Sequence, residues 1–153
     1  MSNTFKIDLN WKRSTDFTYD NFNRNHSLMF SGQQFLNNSA AVEYLGNADM
    51  ANPEELLVSS LASCHMLTFL AVASKSGYIV DTYNDQPIAL LEKNEEGRLA
   101  VTTIDLKPVI EFSGAKIPDE DQLKALHDKA HRNCFIANSI KSKVNIHALG
   151  RIS

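Results

Sequence analysis

The chain has 153 residues, of which 43% are hydrophobic and 22% are charged, and its formal net charge is −3. This length suits one domain with a modest core, and the composition is that of a globular protein. The basic residues are scattered and form no stripe, so a nucleic-acid-binding surface is not expected.

The N-terminal segment lacks the continuous apolar stretch of a signal peptide. The longest uninterrupted apolar run, around residues 67–73, is too short to span a membrane. We therefore expect a cytoplasmic protein with no membrane partner. In that compartment Cys64 and Cys134 are expected to be buried small hydrophobes or reactive thiols, not a structural disulfide.

Residues 1–51 are predicted to form strands joined by turns. Apolar and polar residues alternate from Phe5 to Trp11, as in a half-buried strand. The pattern continues through residues 17–22, and residues 26–30 offer another strand. Residues 37–51 are rich in Asn, Ala and Gly and are expected to form a loop.

The strongest helix start signal in the chain lies at Asn52. Asn52 is the predicted N-cap, Pro53 takes the first helical position, and Glu55 completes a capping box. The predicted helix covers residues 52–76. Apolar residues occupy most of its circumference, so we expect a central, buried helix.

The remainder, residues 78–153, is predicted to hold a hairpin, a second helix with Cys134 at or just after its end, and a last strand. The order βββ–α–ββ–α–β predicts a single α+β domain over residues 1–153. The predicted segments are a first arm at 78–91, a turn at 94–97, a second arm at 99–112, a helix opening at 118–120, a short helical turn at 136–140 and a strand at 144–148.

Cys64 lies about three turns into the first predicted helix. At that depth the helix dipole cannot lower its pKa, and an apolar environment would raise it. A reactive Cys64 is therefore expected to need a cation from elsewhere in the fold.

The run Asn52-Pro53-Glu54-Glu55-Leu56-Leu57, with Cys64 ten residues after Glu54 and Cys134 seventy residues later, resembles the OsmC and organic hydroperoxide resistance (Ohr) family. The resemblance covers essentially the whole chain. It implies antiparallel sheets wrapped around a long central helix, and an intertwined homodimer with active sites at the subunit interface.

The same resemblance implies a thiol peroxidase that reduces organic hydroperoxides and, in some members, hydrogen peroxide. Cys64 would be the peroxidatic cysteine and Cys134 the resolving cysteine. Glu54 matches the family carboxylate, and Arg24 fits the place of the family arginine better than Arg13 does. An external dithiol or lipoyl-type reductant would reduce the Cys64–Cys134 disulfide, without flavin, haem or metal.

The chain departs from the family pattern at two cysteine neighbours. Phe135 follows Cys134 where the family commonly has proline, and His65 follows Cys64 where an aromatic or small residue is usual. These changes suggest a divergent branch with its own substrate range and reductant.

Two rival functions remain open at this point. The first is an OsmC-like protein that binds a small ligand or senses redox state without efficient turnover. The second is a metal site, because His127, His131 and Cys134 at i, i+4 and i+7 would share one helix face.

Helix geometry adds an expectation about oligomeric state. Glu54 and Cys64 are ten residues apart on one predicted helix, a rise of about 15 Å. A glutamate side chain is much shorter than that, so Glu54 could serve only the Cys64 of a second subunit.

Overall fold

The computed structural model describes residues 2–150, with side chains through residue 148. The chain divides into two compact units, residues 1–56 and 57–153, and each is described by itself. The single-domain organisation stays a prediction. In chain order the elements are β1 (Ile7–Asn10), β2 (His26–Phe30), β3 (Phe35–Asn38), a 3₁₀ turn (Val42–Tyr44), α1 (Pro53–Lys75), β4 (Ile79–Asn84), β5 (Ile88–Lys93), β6 (Leu99–Leu106), β7 (Val109–Ser113), α2 (Glu120–Asn133), β8 (Lys143–Ile146) and β9 (Leu149–Gly150).

The first unit holds an antiparallel sheet of order β1-β2-β3. The predicted strand at residues 26–30 is confirmed, and the predicted first strand is shortened to β1. The prediction of a strand at residues 17–22 is wrong, because Asn21 and Phe22 both donate backbone hydrogen bonds to the Thr18 carbonyl and close a turn. A loop was expected at residues 37–51, but its first two residues, Asn37 and Asn38, belong to β3.

Helix α1 begins as the sequence predicts. The Asn52 side chain accepts a hydrogen bond from the Glu55 backbone N–H at 2.9 Å, and the Glu55 carboxylate accepts one from the Asn52 N–H at 3.1 Å. These reciprocal bonds satisfy two donors that a helix N-terminus leaves free.

The expectation of burial around the whole of α1 is not met within the chain. The residues buried on α1 are Leu61, His65, Phe69, Val72 and Ala73. They follow one face at helical spacing, whereas Leu67 on the opposite face is 60% exposed.

The predicted hairpin is present, with its turn at residues 94–97, but both arms are broken into two strands. β4 pairs with β7 and β5 pairs with β6, all antiparallel. The breaks contain Pro87 and Pro108, which have no N–H to donate to a strand ladder. Across the break, the Lys107 N–H donates to the Asp85 carboxylate at 2.7 Å.

The C-terminal part completes two sheets through parallel pairing. α2 begins at the predicted place with a second capping box, between Asp119 and Gln122. β8 lies parallel to β6, and β9, which was not predicted, lies parallel to β7. The resulting sheets have the orders β5-β6-β8 and β4-β7-β9.

Helix α1 contributes to two apolar clusters of the second unit. Phe69, Val72 and Ala73 pack with β7 and α2 in one cluster, and Leu61 packs with β6 and Cys134 in the other. By length and composition alone, α1 could cross a membrane, because it has 23 residues and a mean hydropathy of 1.9. The apolar run at residues 67–73, which was judged too short to span a membrane, is only part of this helix. A core helix meets the same criterion, and α1 packs in both clusters with one face, although 28% of this stretch is buried within the chain.

Candidate active site

The structure brings Cys64 and Cys134 together. Cys64 lies on the twelfth residue of α1, and Cys134 is the C-cap of α2 in extended conformation (φ −75°, ψ 114°). Both are free thiols that share one apolar cluster, and the two side chains are within hydrogen-bonding reach. Cys134 is fully buried and Cys64 is partly exposed, so Cys64 is the one accessible to a substrate.

The environment of Cys64 differs from the expected one. Burial acts to raise the pKa of the Cys64 thiol, as predicted, but hydrogen bonds outweigh it and leave that pKa below its ordinary value. The donors are the Ile136 N–H, the Cys134 thiol, the Phe135 N–H and the Thr68 hydroxyl. Uncharged donors thus also favour the thiolate, and the expectation that a reactive Cys64 needs a cation stays a prediction.

Cys134 is shifted in the opposite direction. Burial, followed by the hydrogen bond to Cys64, raises the pKa of Cys134 to about 11, although the Ala137 N–H approaches its sulfur at 3.4 Å. At neutral pH Cys134 therefore stays a thiol that can donate to an ionised Cys64. The two sulfurs have different chemistry although they lie side by side.

Cys64 opens into a groove of about 760 Å³ that runs along α1 and past the end of α2. Its lining includes Leu67, Thr68 and Ala71 of α1 and Phe135, which is 81% exposed. The groove is mainly apolar, so it can hold an uncharged organic molecule or an apolar surface of another chain.

Arg24 lies in the first unit and is engaged with its own loop. Its guanidinium donates to the carbonyl oxygens of Phe22 at 2.8 Å and Tyr19 at 2.6 Å, and it lies 3.9 Å from the centre of the Phe22 ring. Together with Trp11 and Phe17 it lines an apolar pocket of about 400 Å³. Its action on a cysteine, and that of the exposed Arg13, stay predictions.

Glu54 lies in the first turn of α1 and is half-buried. The capping position belongs to Glu55, as predicted, so Glu54 is not needed to cap the helix. Among residues 2–150, no hydrogen bond or ion pair with the Glu54 carboxylate is formed. Its role as an active-site carboxylate therefore stays a prediction.

Two histidines form a buried pair between α1 and α2. Nε2 of His65 lies 3.0 Å from Nδ1 of His127, and burial lowers the pKa of each imidazole to about 4. The outer nitrogens, Nδ1 of His65 and Nε2 of His127, have no hydrogen-bond partner among the described residues.

The metal-site hypothesis gains no support from this arrangement. His127 is turned toward His65, and within residues 2–150 no three His, Cys, Asp or Glu side chains are placed to hold a metal ion. The side chains of His127, His131 and Cys134 therefore do not converge on one metal ion, despite their helical spacing.

Sequence reasoning did not identify Thr68, the amides after Cys134 or the histidine pair. Thr68 had a local signal, because it follows Cys64 by four residues and so lies on the same side of α1. The pairing of His65 with His127 had none, since 62 residues separate them.

Comparison with known proteins gives a consistent result. A sequence model of OsmC-like proteins matches residues 46–148. An OsmC-like protein of unknown function from Vibrio cholerae is 36% identical, with 99% of this chain and 100% of that chain covered and a TM-score of 0.90. No curated protein matches the chain.

More distant solved structures share the fold. An organic hydroperoxide resistance protein OsmC from Legionella pneumophila is 18% identical, with 99% and 97% of the two chains covered and a TM-score of 0.67. The organic hydroperoxide resistance protein OhrB of Bacillus subtilis is 17% identical, with 99% and 98% covered and a TM-score of 0.62.

Proposed function

The chain belongs to the OsmC-like family, and from this premise we propose that it is a thiol peroxidase that reduces organic hydroperoxides. The observation that carries the proposal is the contact between two free thiols with opposite pKa shifts, Cys64 below and Cys134 above the ordinary value. Similarity to the hydroperoxide resistance proteins of Legionella and Bacillus supports the substrate class.

The proposed cycle begins when the Cys64 thiolate attacks the distal oxygen of a hydroperoxide ROOH. The O–O bond breaks, Cys64 becomes a sulfenic acid, and the alcohol ROH leaves after taking up one proton. The Cys134 thiol then attacks the sulfenic sulfur, which forms the disulfide and releases water. An external dithiol or lipoyl-type reductant exchanges with this disulfide and restores both thiols.

The roles of the two cysteines follow from their environments. Cys64 is partly exposed in the groove and is the more acidic thiol, so it is the proposed nucleophile. Cys134 is fully buried and stays protonated, so it reacts only with an oxidised neighbour. The cycle uses thiols alone and requires no flavin, haem or metal.

A homodimer is the proposed state of the active enzyme. In the sheet of the first unit, Ile7, Leu9 and Phe30 lie on one face because Ile7 pairs with Phe30 and side chains alternate along a strand. All three are exposed within the chain, as is Leu67 on α1. Clustered exposed apolar groups mark interaction surfaces, and a second copy is the proposed partner.

In this dimer, Arg24 and Glu54 are proposed to complete the site around a Cys64. A guanidinium offers a planar fork of donors that can hold a thiolate and polarise the O–O bond, and the carboxylate would orient it. Since Glu54 and Cys64 are ten residues apart on α1, about 15 Å of rise, each Glu54 is assigned to the Cys64 of the other subunit. A cytoplasmic location, where reduced dithiols are available, stays a prediction.

The test is consumption of cumene hydroperoxide by the purified chain with dithiothreitol as reductant. We expect catalytic turnover, and no turnover beyond background for Cys64→Ser. Ser63→Ala, which changes the neighbouring groove residue and leaves both thiols in place, is the matched control. Equal turnover by the parent and Cys64→Ser proteins would contradict the proposal.

The apolar groove also favours a second candidate, a protein that binds a small apolar ligand or senses peroxide without efficient turnover. In that case the parent chain would consume at most one equivalent of peroxide per subunit even with excess dithiol. Multiple turnovers at a steady rate would exclude this candidate.

A further inference from the structure

The groove into which Cys64 opens is charged differently from the chain as a whole. The described residues that line it include two lysines, Lys75 and Lys129, and no aspartate or glutamate. The whole chain, by contrast, has a formal net charge of −3. The groove therefore combines mainly apolar walls with two positive charges, which suits an apolar molecule that carries a negative charge.

Helix α1 places Cys64 and Lys75 at opposite ends of one stripe. Thr68, Ala71 and Lys75 follow Cys64 at successive intervals of four, three and four residues, so all four side chains lie on the same side of the helix. All four line the groove. The helix rises roughly 16 Å between Cys64 and Lys75, so the first positive charge is well separated from the reacting sulfur.

Helix α2 supplies the second positive charge. Lys129 and Asn133 line the groove from this helix, and the Asn133 side-chain amide donates to the Lys129 carbonyl oxygen at 2.8 Å. Lys129 precedes Cys134, the C-cap of α2, by more than one helical turn. The second lysine is therefore also set back from the thiol pair, and it belongs to a different helix from the first.

Both ammonium groups are available to a ligand. Among the residues with described side chains, the ion pairs and the hydrogen bonds from lysine nitrogens involve other lysines, arginine or histidine, and both Lys75 and Lys129 are exposed. One exposed ion pair stabilises a complex only weakly. Two such pairs with one anion, added to apolar contacts along the groove, give a site that favours a charged ligand over its neutral analogue.

We propose that Lys75 and Lys129 form an anion-binding subsite, and that the groove takes a molecule with an apolar body and a carboxylate. The apolar body lies along Leu67 and Phe135 toward Cys64, and the carboxylate binds the two ammonium groups. The inference rests on the proposed peroxidase where it names the preferred substrate, an organic hydroperoxide with a carboxylate remote from its O–O bond. Binding itself needs no turnover and can be measured without peroxide.

The experiment is protection of Cys64 from iodoacetamide, an uncharged reagent, with Cys64 resolved from Cys134 by peptide mass spectrometry. Three probes separate the two parts of the ligand: decanoate has the chain and the charge, decanol has only the chain, and propionate has only the charge. We expect decanoate to slow alkylation of Cys64 at a concentration roughly fivefold lower than decanol requires, as the ion pairs predict. Propionate is expected to give no protection.

A double variant tests the two lysines directly. Lys75→Gln with Lys129→Gln is expected to abolish the difference between decanoate and decanol, because both probes then bind through the chain alone. The matched control is Lys93→Gln with Lys141→Gln, which removes the same charge at two exposed lysines that do not line the groove. This control is expected to retain the parent difference.

Equal protection by decanoate and decanol in the parent chain would overturn the inference, as would protection by propionate as strong as that by decanoate. It would also be overturned if the difference survived in Lys75→Gln with Lys129→Gln, or was lost in Arg24→Ala, because another cation would then bind the carboxylate. Failure of the proposed peroxidase is a separate outcome: the probes would protect Cys64 as expected and no peroxide would be consumed.

Discussion

His65 and His127 meet nitrogen to nitrogen, with 3.0 Å between Nε2 of His65 and Nδ1 of His127, and their rings are coplanar within 4°. Only one hydrogen fits between the two nitrogens, so at least one of these ring nitrogens must be unprotonated. Both residues are almost completely buried, and Phe69 packs on the His127 ring at 4.4 Å. The pair therefore stabilises the packing of α1 against α2 most when both imidazoles are neutral.

Acid is predicted to destabilise the fold through this pair. Burial lowers both pKa values from 6.5 to about 4. The nearby His131 adds to this effect on His65, and His65 adds to it on His127. Asp128 acts weakly in the other direction on His127. Between these values the unfolded chain binds protons that the folded chain does not, so stability falls as pH falls from 6.5 to 4. One imidazole can account for about 3 kcal/mol of this loss.

Urea unfolding at pH 8, 6.5, 5 and 4 checks this prediction. The double variant His65→Leu, His127→Leu should lose less stability between pH 6.5 and 4 than the parent chain. Equal stability losses in the parent and the double variant would show that the histidine pair does not cause the loss of stability in acid.

Arg24 is predicted to strengthen the acidity of Cys64 in the dimer. Arg24→Ala should raise the pKa of Cys64 by roughly one unit, the effect of losing one nearby positive charge, and slow peroxide reduction. Arg24→Lys should restore part of the rate, because it keeps the charge but loses the fork of donors. Alkylation of Cys64 across pH 5 to 9 measures this, and an unchanged profile in the alanine variant would assign the role to Arg13 or to no arginine.

Cys134 is predicted to protect Cys64 from overoxidation. In Cys134→Ser the sulfenic acid has no thiol partner, so each subunit should undergo one oxidation event and then proceed to the sulfinic acid with excess peroxide. Intact-protein mass spectrometry should show a gain of two oxygens on Cys64 in the variant and a disulfide in the parent. A variant that cycles with dithiothreitol at the parent rate would show that Cys134 is not the resolving thiol.

The assignment of Glu54 to the opposite subunit predicts complementation. A Glu54→Ala subunit and a Cys64→Ser subunit, refolded together, should form mixed dimers with one intact site, although each parent variant is weak or inactive. Activity of the mixture is compared with that of the separate variants at equal total concentration. Sedimentation as an active monomer, or no recovery in the mixture, would contradict the composite site.

Local signals predicted much of the fold. The capping residues of both helices and the sequence of β2 were sufficient to place those elements. The split of each hairpin arm was not predicted, because it depends on Pro87 and Pro108 falling in the same break between the paired strands. Residues 17–22 carry a strand pattern but form a turn, since backbone bonds to Thr18 take the place of a strand partner.

The candidate site was predicted in part. Cys64 and Cys134 could be singled out from their spacing, and the structure brings them together. The donors that lower the pKa of Cys64 could not be singled out from the sequence, because the turn after Cys134 meets α1 only in the folded chain. Thr68 was also missed, although its position four residues after Cys64 puts it on the same side of α1.

A thiol count with disulfide mapping shows whether Cys64 and Cys134 are a working redox pair. Reduced protein has two free thiols per chain. After one equivalent of cumene hydroperoxide per subunit, we expect the loss of both thiols and an intramolecular Cys64–Cys134 disulfide in the peptide mass spectrum. Two thiols still titrating, or disulfides that join only different chains, would contradict it.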